Sequence, residues 1–581
     1  MKDHLHTISA LQLLLETPGD QIAYNDPDRS FSPHYSNIGL TFDDLGGIAS
    51  IELHYNRRTQ SIAPAMSSAK PSAPDASLTH IQSGDMKIAF FEQDAFVVEG
   101  RERLTLDFLS NKNLRVITDK TDENRFLRVM HKTKDPRDPD VEFPMLIGIR
   151  VLSGDWEGNS IVGLEPAYAC VFQFLVLDED LASAKLAMAR DVNSARQSTE
   201  DWMSTALGDL SIAPQTENEK TVLSRAVQTL LMNSVRAPGM LKDRIASFPS
   251  RGGYPTHFLW DACFHMLALE EMSDEICRDA LMLLVDNMRA DGLAPHFICS
   301  TWIRPVASQP ALIGWAAERF INRTGNTELA EYILPHLEAN CDWWLTHRLN
   351  RFGLITCYDP FETGWDDTPR LDHGPIVATD MSAYVLMQMR TVSRLATLNG
   401  KQEKAKRWSE KADSFAQKLV DVCWSEETGR LHDVLLEDGS KMDILSPAPF
   451  LPFLGSLPLS EKKQKAAVEK YLFDENRLFG EIPFPCVAYD DPSYDQKQMW
   501  RGPMWPPISW LLLELLDQLC MADIKRNTAL KLYEIILEDG HLYEYFDSQT
   551  GKGLGYPQQG WTAALFLRLH VDLIAKQNQE A

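Results

Sequence analysis

Four carboxylic acids lie around one tryptophan in the segment DPFETGWDDTPR, residues 359–370. Gly364 and Pro369 interrupt the segment, so it is too broken for a core strand and unsuited to a helix interior. Hydrolysis of a glycosidic bond requires two carboxyl groups, one that protonates the leaving oxygen and one that acts on water or on the sugar. A loop with several acids beside an aromatic ring is therefore a candidate for part of such a site.

Three other segments combine tryptophan or tyrosine with glycine, proline and a charged side chain. Sugars account for this pairing, because their C–H faces stack on aromatic rings while their hydroxyls bind carboxylates, guanidinium groups and amides. Alternatively, the tryptophans are core residues and the acids are helix caps. Because the same combination of residue types recurs in four segments, carbohydrate binding is favoured. The three segments are RGGYPTHFLWDACFH (251–265), MWRGPMWPPISW (499–510) and YEYFDSQTGKGLGYPQQGWTAAL (543–565).

Asp366 and Glu544 are the candidate acid and base, and they come from segments far apart in the sequence. Asp366 follows Trp365, whose apolar face would raise the pKa of the carboxyl and keep it protonated near neutral pH. Glu544 lies between Tyr543 and Tyr545, beside a glycine-rich stretch that could approach a ligand closely. Two simpler interpretations stay open: Asp366 as a helix cap, and Glu544 as part of an exposed strand or turn.

Two regions with different hydrophobic periods must position these segments. From about residue 45 to 178, short runs rich in β-branched and aromatic residues alternate with turn-like segments, a pattern that predicts a β-sandwich. From about residue 180 the pattern is helical, with apolar stripes at a spacing of 3.6 residues. Helices, about ten to twelve in number, are predicted within eight ranges: 217–236, 260–289, 309–348, 379–398, 401–423, 460–472, 507–537 and 560–576.

The expected fold is mainly α. Paired antiparallel helices can close into a double-layered barrel whose loops converge on one end, and a rigid scaffold with variable loops is how sites are usually built. We expect an N-terminal β-sandwich domain over 1–180, a linker helix over 181–214 and an (α/α)6-barrel catalytic domain over 215–581.

Composition excludes several partners. The net charge is −25 and the pI is near 5.0, which argues against binding to nucleic acid or to an anionic membrane. Nine scattered cysteines fit a reducing compartment and predict no zinc site. The N-terminus lacks the pattern of a secretory signal, so a cytoplasmic location is expected. The sequence leaves open whether the chain forms a homo-oligomer.

The four segments resemble, in order and spacing, motifs of the (α/α)6-barrel glycosidases of family 63, with the trehalases of family 37 as more distant relatives. These include mannosylglycerate hydrolases, glucosylglycerate hydrolases and α-glucosidases. ETGWDDTPR is similar to the motif whose aspartate is the general acid, which implies that role for Asp366 rather than Asp367. YEYFDSQTGKGLGYPQQGWT is similar to the segment whose glutamate is the general base, which implies that role for Glu544.

The resemblance also implies which residues bind the substrate. The WD dipeptide is similar to a loop that lines the −1 sugar pocket, WRGPMWPP to a loop that faces the substrate, and SQPALIGW to a helix start near the leaving group, although Ala311 departs from that motif. We expect Glu362 or Asp359 to hold sugar hydroxyls or position the loop, and Arg370 to pair with a neighbouring carboxylate. The expected substrate-binding residues are Trp260, Asp261, Gln309, Glu362, Trp365, Arg501, Gly502, Trp505 and Trp561.

The resemblance further implies inversion at the anomeric carbon, for which the two carboxyls stand roughly 6.5–9.5 Å apart. Neither a metal nor another cofactor is expected. The implied substrate is a small-molecule carbohydrate, an α-linked glucose or mannose released by an exo-acting enzyme from glycerate, an oligosaccharide or another small group. A charged leaving group would need a cation, for which Arg304 is a candidate, unless Arg304 is a surface or capping residue.

Two other classes of function compete. Helical barrels also carry sugar epimerases and polysaccharide lyases, which use His or Tyr for proton transfer, and the chain has scattered histidines that include His257, His265, His296 and His373. No two of them form an evident acid–base pair. A carbohydrate-binding protein that has lost catalysis would lack the acid or the base, whereas both are present in this sequence. Glu544 also argues against a phosphorylase, in which a phosphate site replaces the base.

Overall fold

The computed structural model describes strands between residues 35 and 174, a few residues from 183 to 214, and most of 216–575. Short gaps in the last range fall at 237–238, 243, 251–253, 255, 299–302 and 305–306. The chain forms two compact units. The first comprises 1–208, 227–239 and 251–255, and the second comprises 209–226, 240–250 and 256–581. Most of the predicted linker helix lies outside the described residues.

The described part of the first unit contains two antiparallel sheets, one of six and one of eight strands, which confirms that this region is β-rich. The six-stranded sheet has the order β12-β13-β8-β1-β2-β3 and the eight-stranded sheet the order β4-β5-β6-β7-β14-β11-β10-β9. Packing of the sheets as a sandwich stays a prediction. The strands β1 to β14 are Tyr35–Asp43, Ser50–Asn56, Ser61–Met66, Asp75–Ser77, His80–Ser83, Met86–Glu92, Ala95–Gly100, Arg103–Phe108, Leu114–Lys120, Asn124–Lys132, Glu142–Ser153, Asp155–Glu157, Ser160–Val162 and Ala167–Phe174.

The second unit is mostly helical, as the sequence predicts, and none of its described helices is long and apolar enough to cross a membrane. Residues Ala448–Gly455 form a 3₁₀ segment. A π turn, Val468–Leu472, follows the helix Glu461–Ala467, and another, Val571–Ala575, follows the helix Gly560–His570. The helices described between residues 217 and 570, labelled α1 to α12, are Glu217–Met232, Leu259–Met272, Asp274–Asp286, Ile313–Thr324, Thr327–His347, Pro360–Thr363, Thr379–Leu398, Gln402–Cys423, Glu461–Ala467, Pro506–Gln518, Ala522–Asp539 and Gly560–His570.

Local sequence explains where three of the predicted ranges divide into two helices. Ser273 is extended, and its side chain accepts a hydrogen bond from the N–H of Ile276 at the start of α3. Gly325, at φ 66°, ends α4, and Asn326 caps α5. Cys520 has a φ of 53° and lies between α10 and α11.

Six inner segments contact one another in a closed ring. The order is α2, α4, α7, the 3₁₀ segment, α10 and α12, which returns to α2. The outer helices α3, α5, α8 and α11 pack against this ring. The inner helix α2 is buried along nearly its whole length, whereas α8 buries one stripe that includes Trp408, Phe415 and Leu419. This double layer is consistent with the predicted (α/α)6 barrel.

Candidate active site

Three of the four aromatic segments run directly into inner helices. We call the four the WD segment (251–265), the acid loop (359–370), the tryptophan loop (499–510) and the base segment (543–565). The WD segment leads into α2, the tryptophan loop into α10 and the base segment into α12. The acid loop precedes α7. Four polar loops therefore lie at the N-terminal ends of four inner helices.

A column of stacked rings joins the acid loop, the tryptophan loop and the base segment. Trp365 stacks on Trp500 with ring centroids 4.9 Å apart. Trp500 stacks on Trp505 at 3.6 Å, and Trp505 stacks on Tyr545 at 4.5 Å. The three tryptophans are almost fully buried. The column thus acts as a shared wall that fixes the three segments relative to one another.

Trp260 and Trp561 bring the WD segment and the start of α12 against this wall. The Trp260 ring lies 6.1 Å from that of Trp500, and Trp561 lies 5.7 Å from Trp505. Gly364 packs on Trp260: a Cβ at this glycine would come within 2.5 Å of the indole. Because these rings are buried and contact one another, they serve as anchors of the loops. Stacking of a sugar on Trp260, Trp365, Trp505 or Trp561 stays a prediction.

Asp366 lies in the acid loop and is only partly exposed. Burial raises the pKa of its carboxyl to about 7, and the charges of Asp367 and Asp359 act in the same direction. The guanidinium of Arg304 has the opposite effect on this pKa. The carboxyl therefore keeps its proton for a large part of the time at neutral pH, as a general acid must.

Glu544 is buried, with 4% of its surface exposed, so the interpretation of an exposed turn residue is wrong. The N–H of Tyr556 donates to Oε2 at 3.2 Å, and the Trp561 indole donates to the Glu544 carbonyl at 2.9 Å. Gly555, at φ 76°, passes so close that a Cβ there would be 2.5 Å from Oε2. The glycine-rich stretch therefore folds over the carboxylate itself.

Asp261 joins the two candidates into one group. It lies in the first turn of α2 and is buried. Its pKa is raised well above the ordinary value by burial, by the charge of Glu544 and, to a smaller extent, by the charge of Asp366. Asp261 is thus within electrostatic reach of both Asp366 and Glu544. The arrangement can hold protonated and ionised carboxyls side by side, which acid–base hydrolysis of a glycoside requires.

Two of the expected binding residues have structural partners. The side-chain carbonyl of Gln309 accepts from the N–H of Trp260 at 3.3 Å, which ties it to the start of α2. Both oxygens of Glu362 are held by Arg348, at 2.9 Å and 2.6 Å. Of the two roles expected for Glu362, these bonds fit the positioning of the loop. Contact of either residue with a sugar stays a prediction.

The tryptophan loop is held in a tight turn. The guanidinium of Arg501 donates two hydrogen bonds to the carboxylate of Asp372, just after the acid loop, at 2.8 Å and 2.7 Å. A Cβ on Gly502 would be 2.2 Å from the carbonyl oxygen of Asp495, so the turn needs glycine at this position. The expected contact of Arg501 and Gly502 with substrate is a prediction that these observations leave in place.

Arg370 fixes the end of the acid loop to the inner ring. Its guanidinium donates to Asp380 at 2.8 Å and 2.7 Å and to Asp433 at 2.6 Å and 3.1 Å. Asp380 belongs to the first turn of α7, and all three side chains are buried. The prediction that Arg370 pairs with a carboxylate is confirmed.

The histidines of the second unit offer little to a proton-transfer mechanism of the epimerase or lyase type. Burial lowers the pKa of His257 to about 4, and it lowers the pKa values of His265 and His296 to about 3. His257 and His265 both bond to Ser247, the former through the backbone and the latter through Oγ at 2.7 Å. His257 and His265 are thus held by structural hydrogen bonds to Ser247.

Arg304 lies close to the acid. Its charge lowers the pKa of Asp366 and contributes to the lowered pKa of His296. Among the described residues no carboxylate forms an ion pair with Arg304, whereas Arg348, Arg370 and Arg501 are each paired. A cation beside the acid is suited to binding an anionic group.

Sequence reasoning passed over Asp367, Trp500 and Tyr545. The carboxylate of Asp367 accepts from the backbone N–H of Trp500 at 2.7 Å and from the amide of Gln498 at 3.0 Å. Trp500 lies at the centre of the ring column and precedes Arg501, which the sequence did single out. These three residues lie in the same motifs as the predicted site residues, which was the available signal. No rule of sequence spacing predicts which aromatic ring stacks on which.

Comparison with known proteins gives one family. The sequence profile of the mannosylglycerate hydrolase MGH1-like glycoside hydrolase domain matches residues 254–562, more than half of the 581-residue chain. The matched range includes Asp261, Asp366 and Glu544.

Relatives and a solved structure agree with this match. Mannosylglycerate hydrolase MGH1 of Selaginella moellendorffii is 23% identical over 406 residues, which are 55% of this chain and 81% of the relative. Glucosylglycerate hydrolase of Mycolicibacterium hassiacum is 24% identical over 419 residues, 54% and 91% of the two chains. The crystal structure of the GH63 mannosylglycerate hydrolase from Thermus thermophilus with Tris aligns at a TM-score of 0.53 and 19% identity over 60% of this chain and 99% of that chain. This likeness shows a shared fold.

Proposed function

Because the chain belongs to the family of mannosylglycerate hydrolase MGH1-like glycoside hydrolases, we propose that it is an inverting, exo-acting α-glycosidase. Asp366 is the general acid and Glu544 the general base. The observation that carries the assignment is the grouping of Asp366 and Glu544 around Asp261, with burial raising the pKa of Asp366 to about 7. A protonated carboxyl near neutrality beside ionisable partners is the arrangement this reaction needs.

In the proposed mechanism Asp366 gives its proton to the glycosidic oxygen as the bond to the anomeric carbon breaks. Glu544 takes a proton from a water molecule that attacks the opposite face of the sugar, so the product has the inverted configuration. The proton passes from Asp366 to the leaving group, and Glu544 gains one from water. The water needs room, so the two carboxyls act from roughly 6.5–9.5 Å apart.

The substrate we propose is an α-glucoside or α-mannoside with a small anionic leaving group such as glycerate. Relatives named mannosylglycerate hydrolase and glucosylglycerate hydrolase support this choice. The position of Arg304 also supports it, because its charge acts on Asp366 and no described carboxylate pairs with it. The general acid faces the leaving group, so a cation beside it is placed to bind a carboxylate there. Asp261, Trp260 and Gln309 would line the sugar pocket.

The test is hydrolysis of a panel that contains mannosylglycerate, glucosylglycerate, trehalose and α-linked glucose oligosaccharides, followed by proton NMR of the anomeric signals. We expect the β-anomer to appear first from one α-linked substrate, and Asp366→Asn and Glu544→Gln to abolish its formation. Asp517→Asn is a matched control, because Asp517 lies near the far end of α10, about 18 Å along the helix from Trp505. The α-anomer as first product would refute inversion, and absence of turnover would favour an epimerase, a lyase or a binding protein.

A further inference from the structure

The acid loop is attached to the tryptophan loop by Asp367, the residue that follows the proposed acid. Oδ1 of Asp367 accepts from the backbone N–H of Trp500 at 2.7 Å, and Oδ2 accepts from Nε2 of Gln498 at 3.0 Å. Both oxygens of one carboxylate thus bind one neighbouring loop. A side chain held at both oxygens cannot rotate without breaking a hydrogen bond, so the backbone beside Asp366 is fixed as well.

Two further contacts connect the same loops, but they lie farther along the chain from the acid's carboxyl or carry no charge. Trp365 stacks on Trp500 through uncharged rings, and Asp372 pairs with Arg501 six residues after the acid. Of these three contacts, only that of Asp367 is made by a negatively charged residue next to Asp366 in the sequence. The same charge acts on Arg501 and on the thiol of Cys486.

The charged groups around Asp366 come from three elements. Asp367 and Asp359 of the acid loop favour the protonated carboxyl, and Asp367 has the larger effect. Arg304 opposes them. Asp261, in α2, responds to the charge of Asp366. Burial is the largest cause of the raised pKa of Asp366, and Asp367 makes the largest contribution among the charges.

We propose that Asp367 is a positioning residue for the general acid: its carboxylate locks the acid loop onto the tryptophan loop and places a fixed negative charge beside the carboxyl of Asp366. This inference depends on the proposed function, in which Asp366 is the acid. It separates two tasks of one side chain, because the hydrogen bonds set position and the charge sets protonation. Conservative substitutions affect the two tasks unequally, because Asp367→Asn removes the charge and Asp367→Glu keeps it.

Asp367→Asn removes the charge and keeps an oxygen that accepts from Trp500, but an NH₂ group replaces the oxygen that accepts from Gln498. Loss of a neighbouring negative charge makes the Asp366 proton easier to lose. The alkaline limb of the pH profile of kcat/KM should therefore move to lower pH, by roughly half a unit to one unit. Asp367→Glu keeps the charge and misplaces the oxygens, so kcat should fall about tenfold or more with the limb nearly unmoved. Asp372→Asn removes the charge that pairs with Arg501, and it should leave the alkaline limb of the pH profile where it is.

A direct titration separates failure of this inference from failure of the proposed function. The carboxyl carbon of Asp366 is followed by ¹³C NMR in protein labelled at aspartate, with Asp366→Asn used to assign the signal. We expect its midpoint to lie lower in Asp367→Asn than in the unsubstituted protein, whichever substrate is cleaved. Equal midpoints in the two proteins, with equal thermal stability, would overturn the inference even if glycoside hydrolysis is confirmed. A lowered midpoint without hydrolysis would refute the proposed function alone.

Discussion

The acid loop and the base segment bring one carboxyl each to the same place, but they are held by different kinds of bond. Side-chain charges fix the acid loop: Glu362 pairs with Arg348, and Arg370 with Asp380 and Asp433. The base segment is a backbone hairpin. The N–H of Glu544 donates to the Tyr556 carbonyl at 2.8 Å. The N–H of Phe546 donates to the Met504 carbonyl at 2.9 Å, and the N–H of Met504 donates to the Phe546 carbonyl at 2.8 Å.

This difference matches the roles that we propose for the two carboxyls. The acid needs a raised pKa, and a loop rich in carboxylates supplies nearby negative charge while its arginines keep the loop folded. The base must stay close to a water molecule at a fixed place, and a hairpin with glycine at Gly555 brings the backbone against its side chain. The acid loop should therefore respond to loss of charge, and the base segment to added bulk.

The largest effects should come from the two carboxyls themselves. Asp366→Asn and Glu544→Gln should each lower kcat/KM for a natural-type glycoside by about 10²–10⁴-fold, the range expected for a lost acid or base. A glycosyl fluoride separates the two, because fluoride departs without a proton. We expect Asp366→Asn to recover much of its activity on the fluoride and Glu544→Gln to stay inactive. Recovery by Glu544→Gln alone would reverse the assigned roles, and equal recovery by both variants would remove the distinction between them.

Loss of Arg370 should be the largest effect on stability. Arg370→Met leaves Asp380 and Asp433 buried without their cation, and breaking such a network costs about 3–5 kcal/mol. Thermal unfolding measured by circular dichroism should show a clearly lower Tm. Arg244→Met is the control. It also breaks an ion pair, with Asp286, but that pair is less deeply buried and lies outside the site. A Tm change no larger than that of the control would show that the buried network does not stabilise the acid loop.

Added bulk should damage the base segment more than an equal change elsewhere. Gly555→Ala places a Cβ 2.5 Å from Oε2 of Glu544 at a φ of 76°, so Glu544 must move. Gly400→Ala has a similar φ of 70° and nothing within 4 Å, so it tests backbone strain alone. Both should lose about 1 kcal/mol of unfolding free energy or somewhat more, while only Gly555→Ala should lose kcat, by about 10²-fold. Equal kcat values in the two variants would refute close positioning of the base.

The sequence predicts the parts of this comparison that depend on local pattern. The helical ranges, the β-rich N-terminal region and the four aromatic segments follow from periodicity and composition, and the raised pKa of Asp366 was expected from its apolar neighbour. Burial is indeed the first cause of that raised pKa, and the charge of Asp367, adjacent in sequence, adds to it.

Other features depend on distances that local pattern does not encode. Arg501 meets Asp372 from 129 residues away, and Trp500 meets Asp367 from 133 residues away. Only the closed ring of inner helices places these residues side by side. The same holds for the tryptophans: composition suggested sugar platforms, while the structure stacks Trp365, Trp500 and Trp505 on one another in a buried column.

The smallest expected effect concerns Arg304, the one charge near the acid that opposes its raised pKa. Below the folded pKa of about 7 Asp366 is protonated and active, and activity falls as the pH rises through that value. Arg304→Met removes a positive charge, so the alkaline limb of kcat/KM should move to higher pH, opposite to the shift expected for Asp367→Asn. The same variant should lose more activity on a glycerate glycoside than on a neutral aryl glycoside, because only glycerate carries a carboxylate for Arg304 to bind. Shifts of both variants in the same direction would show that these charges do not set the protonation of the acid.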